Sequence, residues 1–255
     1  MKIFAGLVLS IICLFFCSCY YGNTKQETLT IATSANMQYA MEALAERFTE
    51  NTGIPCELII GSSGKLTAQI SEGAPYDLFV AANMKYPLEV ARQGLAASPP
   101  KMYANGSLVL WTIKEGLTPT LDLLTRESVS HIAIPNPKTA PYGKAAIEVL
   151  QHLNLLDSLT PKLVFGESIS QTNQFVISGS AEIGITALSV VLSPQMKSRG
   201  SWISISSELH APVEQGVVLL KKKAGPGEGA TRFYEYLTGN EAAEILKNYG
   251  YSVSE

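Results

Sequence analysis

The stretch from Gly61 to Asn83, GSSGKLTAQISEGAPYDLFVAAN, combines a cluster of small hydroxyl residues with an apolar segment. Ser62 and Ser63 open a helical pattern, and the apolar run that follows, Asp77 to Ala82, is typical of a buried strand. Hydroxyl groups and unpaired backbone N–H groups therefore meet at the positive end of a helix, where an anion binds well. The segment also contains Ser62-x-x-Lys65, the spacing of a penicillin-binding enzyme nucleophile. The rest of the chain has to decide between these two interpretations.

The N-terminal segment has the pattern of a secretion signal. The apolar run from Ile3 to Phe16 follows a basic residue and is shorter than the roughly 20 residues that a membrane-spanning helix needs. Cys19 follows a small residue and precedes a polar stretch, as in the lipobox of bacterial lipoproteins. We therefore predict a signal peptide at 1–18, lipidation at Cys19 and a flexible tether at 19–28, which places the protein in the periplasm or cell envelope. Simple signal cleavage without a lipid is the alternative.

Composition limits the class of protein. The 255-residue chain has a net charge of −3, and removal of the signal would leave 18 basic and 22 acidic residues, which does not suggest nucleic-acid binding. Cleavage before Cys19 would leave only one other cysteine, Cys56, so no disulfide framework is available. The three histidines lie in separate predicted elements without ligand spacing, so no metal-cation site is expected. About 237 mature residues exceed the usual size of one core, and we expect two lobes.

Strand and helix patterns alternate almost throughout the chain, which predicts an α/β fold with mostly parallel sheets and flanking helices. Apolar residues from Met37 to Phe48 follow helical spacing, and Gly53 ends that helix. The remaining predicted helices begin at Ser62 or lie at 88–92, 141–153, 170–177, 229–237 and 240–249. The predicted strands are 29–33, 56–60, 77–82, 107–113, 131–135, 162–165, 182–187, 203–206 and 216–221.

Two segments are interpreted as crossings between the lobes: Asn105 to Trp111 and Val213 to Leu219. A chain that crosses and returns gives a discontinuous first lobe, 29–105 plus 214–255, and an inserted second lobe, 106–213. Helix N-termini and strand C-termini would converge in the cleft between these lobes, which makes the cleft the expected ligand site.

Four strand-to-helix turns could contribute anion-binding groups to this cleft. Each turn supplies backbone N–H groups at a helix start, and three of them also supply serine or threonine hydroxyls. Taken singly, each is also an ordinary helix cap, so the sequence pattern alone supports an anion site only weakly. The four turns are Thr33-Ser34-Ala35-Asn36, Gly61-Ser62-Ser63-Gly64, Ala140-Pro141-Tyr142-Gly143 and Glu167-Ser168-Ile169-Ser170.

Several longer motifs extend over nearly the whole chain. They are ATSANM at 32–37, GSSGKL at 61–66, GAPYDLFVAA at 73–82, NPKTAPYG at 136–143, AEIGI at 181–185, FYEYL at 233–237 and AAEILKNYGY at 242–251. In these motifs the chain resembles the molybdate-binding proteins of bacterial molybdate ABC transporters. The resemblance implies a two-lobed type II periplasmic binding protein fold that closes on a tetrahedral oxyanion.

The resemblance also implies a set of oxyanion ligands. By position they are Asn36 with the backbone of Ala35, the Ser63 hydroxyl, and the backbone amides of Tyr142 and Ile169. One branch of the family has Ser in place of Asn36 and Tyr at the position of Ala187. We expect the Tyr142 phenol to supply the hydroxyl that is lost at residue 187. These groups would bind the oxygen atoms of molybdate or tungstate, and they do not form a site for a metal cation.

The chemistry of these residues suits an unprotonated dianion, because such a ligand only accepts hydrogen bonds and the expected groups only donate them. Among the four turns Glu167 is the one acidic residue, and we expect it, like Lys65, to face solvent. The predicted function is capture of molybdate, with tungstate as a competitor, for delivery to an ABC transporter permease. The protein would be a monomer with no cofactor and no enzymatic activity.

Two alternatives stay open at this point. The bound anion could be sulfate, thiosulfate or another tetrahedral oxyanion. A secreted serine acyl-transfer enzyme at Ser62 is a remote alternative, because the chain has no Ser-Asp-Asn motif and no Lys-Thr-Gly motif.

Overall fold

The computed structural model describes residues 28–223 and 225–253. The predicted signal peptide, Cys19 and all of the tether except residue 28 lie outside the described residues. The ten strands are β1 Leu29–Ser34, β2 Cys56–Gly61, β3 Leu78–Ala81, β4 Lys101–Gly106, β5 Leu108–Thr112, β6 Ile132–Pro135, β7 Leu163–Gly166, β8 Ile183–Ala187, β9 Ser201–Ser204 and β10 Val213–Leu219.

Nine α-helices flank these strands within the described ranges, together with short 3-10 turns such as Ala35–Met37. The α-helices are α1 Gln38–Thr52, α2 Ser63–Ser71, α3 Lys85–Arg92, α4 Pro141–His152, α5 Leu156–Leu159, α6 Ile169–Ile177, α7 Leu188–Val191, α8 Glu228–Leu237 and α9 Asn240–Asn248. None of the helices in the described part of the chain is long and apolar enough to cross a membrane.

The strands form two five-stranded sheets, one in each lobe. The first sheet has the order β2-β1-β3-β10-β4 and the second the order β7-β6-β8-β5-β9. In the first sheet β1 pairs in parallel with β2 and β3, whereas β10 is antiparallel to β3 and β4. The second sheet repeats this pattern, with parallel pairs around β6 and antiparallel pairs around β5.

The pairing corrects the expectation of mostly parallel sheets, because each sheet has two parallel and two antiparallel pairs. The reason lies in the connections between the lobes. Strand β4 leads out of the first lobe and β10 leads back into it, so the two run in opposite directions when they pair. The two-lobed α/β fold with flanking helices is confirmed.

Each lobe has its own apolar core. In the first lobe α1 buries the side chains of Met41, Leu44 and Phe48, and the Phe48 ring packs edge-on against Phe233 at 4.9 Å between centroids. In the second lobe the buried Trp111 ring donates its indole N–H to the Arg199 carbonyl at 2.8 Å. The parallel strands of both lobes end at the cleft, and their loops start the helices that line it.

Cys56 begins β2 and is half-buried. Burial raises the pKa of its thiol to about 11, so the thiol stays protonated at neutral pH. This residue is therefore a packing residue of the first lobe.

Candidate ligand-binding site

A small cavity lies between the lobes. It contains all five residues that the sequence predicted for the site, brought together from four separate turns. None of the described residues that line it carries a charge. The lining residues are Ser34, Ala35, Asn36, Ser62, Ser63, Ala82, Ala140, Pro141, Tyr142 and Ile169.

Helix starts converge on this cavity because parallel strands end there. Asn36 lies in the 3-10 turn after β1, and Ser63 is the first residue of α2 after β2. From the second lobe, Tyr142 is the second residue of α4 and Ile169 is the first residue of α6. N–H groups in a first helical turn have no partner within their own helix, so these turns present donors and positive dipole ends to the cavity.

Ser63 supplies a buried hydroxyl from the first lobe. Its side chain is fully buried, and its oxygen accepts a hydrogen bond from the backbone N–H of Ala82 at 3.0 Å. This bond connects the start of α2 to the end of β3 and sets the position of the oxygen. Because the oxygen serves as the acceptor, the hydroxyl proton remains available for donation to a ligand.

Tyr142 has a buried phenol oxygen with no hydrogen-bond partner among the described residues. It lies close to Asn36 and Tyr251 but makes no hydrogen bond of good geometry with either. Burial raises the pKa of this phenol well above its ordinary value, so it keeps its proton at neutral pH. A buried hydroxyl without a partner is costly, and one at a cavity wall is suited to a ligand acceptor.

Gly106, at the end of β4, provides the space for this phenol. A side-chain carbon at residue 106 would overlap the Tyr142 hydroxyl and would also press on the Gln215 amide nitrogen. Glycine is therefore required where the chain leaves the first lobe, because the phenol of the second lobe occupies the space of a side chain there.

The Asn36 side chain has hydrogen-bond partners within the protein. Both protons of its side-chain amide are already donated, one to the Gln215 amide oxygen at 2.8 Å and one to the Tyr251 hydroxyl at 2.9 Å. The Asn36 amide oxygen in turn accepts a hydrogen bond from the Ser34 hydroxyl at 2.8 Å. The side chain is thus used to hold the loop, and the backbone N–H groups of the turn remain as the donors that Ala35 and Asn36 can offer.

Gln215, Tyr251 and Ser189 were not predicted as parts of the site. Gln215 donates its amide protons to the Val213 and Ala82 carbonyls, which orients its oxygen toward Asn36. No local pattern marks these residues, because they lie 153 to 215 positions from Asn36 in the chain. Tyr251 belongs to the YGY ending that carries the family resemblance, but the sequence assigned it no role in the site.

Contacts between the lobes close the cleft over the cavity. The Gly64 N–H donates to the Thr139 carbonyl at 2.9 Å, and the Tyr86 hydroxyl reaches the same oxygen at 3.3 Å. Lys65 and Glu167, which were expected to face solvent, form an ion pair across the cleft at 2.8 Å, although each side chain remains about half exposed. These bonds join the starts of α2 and α3 to the loops that precede α4 and α6 at the rim of the site.

A larger pocket lies outside this rim and shares Ala140 and Pro141 with the inner cavity. Its walls carry three exposed lysines, Lys85, Lys138 and Lys144. The larger pocket is lined by charged side chains, whereas the inner cavity is small and lined by neutral residues. The inner cavity is the one whose walls can replace the hydration shell of a small anion.

The structure gives Ser62 a structural role. Its hydroxyl oxygen caps α2 by accepting from the Lys65 backbone N–H at 3.4 Å. The Lys65 ammonium, which would have to activate a nucleophile, is instead paired with Glu167. The pair of residues is therefore explained by a helix cap and an ion pair.

Two lobes that enclose a small cavity of neutral donors define a solute-binding protein. The profile described as bacterial extracellular solute-binding protein matches residues 29–252, and the chain belongs to that family. Its relatives include the molybdate-binding protein ModA of Azotobacter vinelandii, 37% identical over 226 residues that cover 88% of this chain and 89% of the relative. ModA of Rhodobacter capsulatus is also 37% identical, over 86% of each chain.

Among solved structures, the periplasmic molybdate-binding protein of Azotobacter vinelandii superimposes with a TM-score of 0.84 at 36% identity. The match covers 89% of this chain and all of that one. The resemblance seen in the sequence is thereby confirmed, as are the predictions that the chain is a binding protein and not an enzyme and that it uses no cofactor.

Proposed function

We propose that this protein captures molybdate outside the cytoplasm and delivers it to an ABC transporter permease, with tungstate as a competing ligand. The observation that carries the proposal is the inner cavity, in which neutral donors from both lobes surround a space for a small anion. The relatives named as molybdate-binding proteins support the same ligand. In this proposal the ligand contacts are Ala35, Asn36, Ser63, Tyr142 and Ile169.

The donor set favours a dianion that carries no proton. Ser63 and Tyr142 have protons to donate, and the helix starts contribute further N–H groups. A protonated phosphate would need an acceptor, and no carboxylate lies among the described lining residues. Five to seven charge-assisted hydrogen bonds, reduced by desolvation and by closure of the lobes, correspond to about 8 to 12 kcal/mol of binding free energy. This range spans micromolar to nanomolar dissociation constants.

The organisation of the chain is part of the proposal. We take the first lobe as 29–105 plus 214–255 and the inserted lobe as 106–213, which agrees with the separation of β4 from β5 and with the start of β10. A monomer held at the membrane by a lipid on Cys19 would keep the binding protein near its permease. Mass spectrometry of the N-terminal peptide from membranes tests the lipid, and an unmodified N-terminus would rule it out.

The direct test of the ligand is calorimetric titration of purified, ligand-stripped protein with molybdate, tungstate, sulfate and phosphate. We expect tight binding of molybdate and tungstate, with sulfate at least 100-fold weaker because it is too small to reach all donors at once. Sulfate binding as tight as molybdate binding would overturn the assignment and favour a general oxyanion carrier. Absence of binding by all four anions would reject the oxyanion site itself.

A further inference from the structure

A closed ring of hydrogen bonds lies behind the cavity. The Asn36 amide donates to the Tyr251 hydroxyl at 2.9 Å, and the Tyr251 hydroxyl lies 3.1 Å from the Ser189 hydroxyl. Ser189 donates to the Asn36 backbone carbonyl at 2.7 Å, which returns the ring to its first residue. All three side chains are buried, with at most 3% of their surface exposed. The Tyr251 hydroxyl can donate either to the Ser189 oxygen or to the Asn36 backbone carbonyl, each at 3.1 Å, so both hydroxyls of the ring act on the same carbonyl.

The members of the ring come from three distant parts of the chain. Asn36 belongs to the loop after β1 that lines the cavity, and Tyr251 belongs to the C-terminal tail of the same lobe. Ser189 lies on α7 of the second lobe. The ring therefore joins a wall of the cavity in one lobe to the body of the other lobe.

The tail that carries Tyr251 is anchored where the chain crosses between the lobes. Ser252 exchanges two backbone hydrogen bonds with Asn105 of β4, at 2.7 and 2.9 Å. The second proton of the Asn36 amide goes to Gln215, on the returning strand β10. Both crossing strands are thus hydrogen-bonded to the residues that hold Asn36 or to their chain neighbours.

We propose that Tyr251 is a positioning residue that couples the arrangement of the lobes to the orientation of the donor loop at 34–36. Through its hydroxyl it holds Asn36 in place and connects that loop to Ser189 of the second lobe. The complete ring stabilises the closed, loaded protein, and its loss speeds release of the anion while leaving capture nearly unchanged. This inference rests on the proposed binding of an oxyanion in the inner cavity.

The test compares molybdate association and dissociation rates of Tyr251→Phe, Ser189→Ala and the double variant by stopped-flow fluorescence. Each single variant should raise the dissociation rate about three- to tenfold, the effect expected for loss of one buried hydrogen bond. The association rate should stay within about twofold. The two effects on the dissociation rate should be less than multiplicative in the double variant, because both hydroxyls bind the same Asn36 backbone carbonyl.

Tyr236→Phe is the matched control. The Tyr236 hydroxyl is buried like that of Tyr251, but it has no partner in the described structure. The ring of Tyr236 packs against Phe48 and Phe233, away from the cleft. This variant should keep wild-type rates. A purely structural role of Tyr251 would lower the unfolding temperature of the ligand-free protein and leave the dissociation rate unchanged, which would overturn the proposal. Multiplicative effects in the double variant would also overturn it.

Two further measurements distinguish failure of the proposed coupling from failure of the proposed ligand assignment. If Tyr251→Phe does not fold, Ser189→Ala tests the same ring from the other lobe. If the wild-type protein binds sulfate instead of molybdate, the rates are measured with sulfate, so that the ligand assignment fails while the coupling is still tested. Absence of binding by any oxyanion would reject both.

Discussion

The two halves of the binding cavity are built differently. In the first lobe, Ser63 is held by Ala82 and the Asn36 side chain is held by Gln215 and Tyr251, so every one of these side chains has a protein partner. In the second lobe, the Tyr142 phenol has none among the described residues. The first half is preorganised before a ligand arrives, and the second half gains a hydrogen bond only through the ligand. Preorganisation lowers the entropic cost of binding the anion. The unpaired phenol stabilises the closed protein when the bound anion accepts its hydrogen bond.

Ser63→Ala should have the largest effect on affinity. It removes a hydrogen bond to a charged ligand and leaves the Ala82 N–H unpaired in a buried position. We expect molybdate binding to weaken by about 3 kcal/mol, roughly 150-fold, with a loss of about 1 kcal/mol in the unfolding free energy of the ligand-free protein. Calorimetric titration and denaturant unfolding measure the two quantities.

The neighbouring Ser62→Ala serves as the control for this comparison. Loss of the α2 cap should cost about 1 kcal/mol of stability. Affinity should change only a few-fold, because Ser62 is not one of the proposed donors. Equal losses of affinity in the two serine variants would show that the first half of the cavity does not depend on one preorganised hydroxyl.

Tyr142→Phe should weaken molybdate binding by roughly 1.5 to 3 kcal/mol, about 10- to 150-fold, if the phenol donates to the charged ligand. Unlike Ser63→Ala, it should leave the ligand-free protein at least as stable as wild type, because it removes a buried hydroxyl without a described partner. The same titration and unfolding experiments apply. Tyr103→Phe, at another buried phenol without a described partner, should preserve affinity. Unchanged affinity in Tyr142→Phe would remove that residue from the site.

Gly64→Ala tests the junction between the two halves. An added side-chain carbon would lie 3.0 Å from the backbone of Thr139, in the second lobe, and would disturb the hydrogen bond that closes the rim. We expect affinity to fall about tenfold, or 1.4 kcal/mol, while the first lobe loses no stability because alanine favours the helix. Small-angle scattering at saturating molybdate should show a less closed particle than wild type. A wild-type scattering curve and affinity would contradict this account.

Lys65→Gln should have a smaller effect, although its ion pair with Glu167 also bridges the lobes. Both side chains are about half exposed, so solvent screens their attraction. We expect a loss of at most about 1 kcal/mol in binding, and less at high salt. A double-mutant cycle with Glu167→Gln isolates the pair, and a coupling above 2 kcal/mol would show that the rim matters as much as the cavity.

The smallest change is expected from pH. Burial raises the pKa of the Tyr142 phenol well above its ordinary value and does the same for Tyr251, so both groups stay protonated as the solution is made alkaline. Affinity should therefore vary by less than about twofold between pH 6 and 9. Titrations in a series of buffers measure this, and a drop in affinity with a midpoint near pH 8 would argue against neutral phenols in both halves.

Much of the fold follows from local patterns. Helical spacing in α1 and apolar runs such as β3 and β8 reflect the burial of one side or of both sides of an element, which neighbouring residues reveal. Strand β4 was missed because its sequence, KMYANG, is polar and contains glycine, and it is held as a strand by pairing with β10, more than 100 residues away. The direction of strand pairing depends on the same distant connection.

The site likewise has features that the local sequence predicts and features that it does not. Helix starts at Ser63, Tyr142 and Ile169 are local features, and the family resemblance directed attention to them. The role of the Asn36 side chain could not be predicted, because its partners Gln215 and Tyr251 become neighbours only after both lobes have folded. The sequence therefore indicated which residues surround the cavity, but it did not indicate which of their atoms are available to a ligand.

The neutral walls of the inner cavity also affect how the loaded protein behaves as a particle. Since no described lining residue carries a charge, a bound dianion is neither neutralised by a side chain nor paired with a proton taken up by one. The complex keeps the whole charge of its ligand and is two units more negative than the free protein, whose net charge is −3 for the full chain. Loaded and free forms should separate by native electrophoresis or anion exchange. A partner protein that approaches the loaded form encounters a molecule with a more negative net charge.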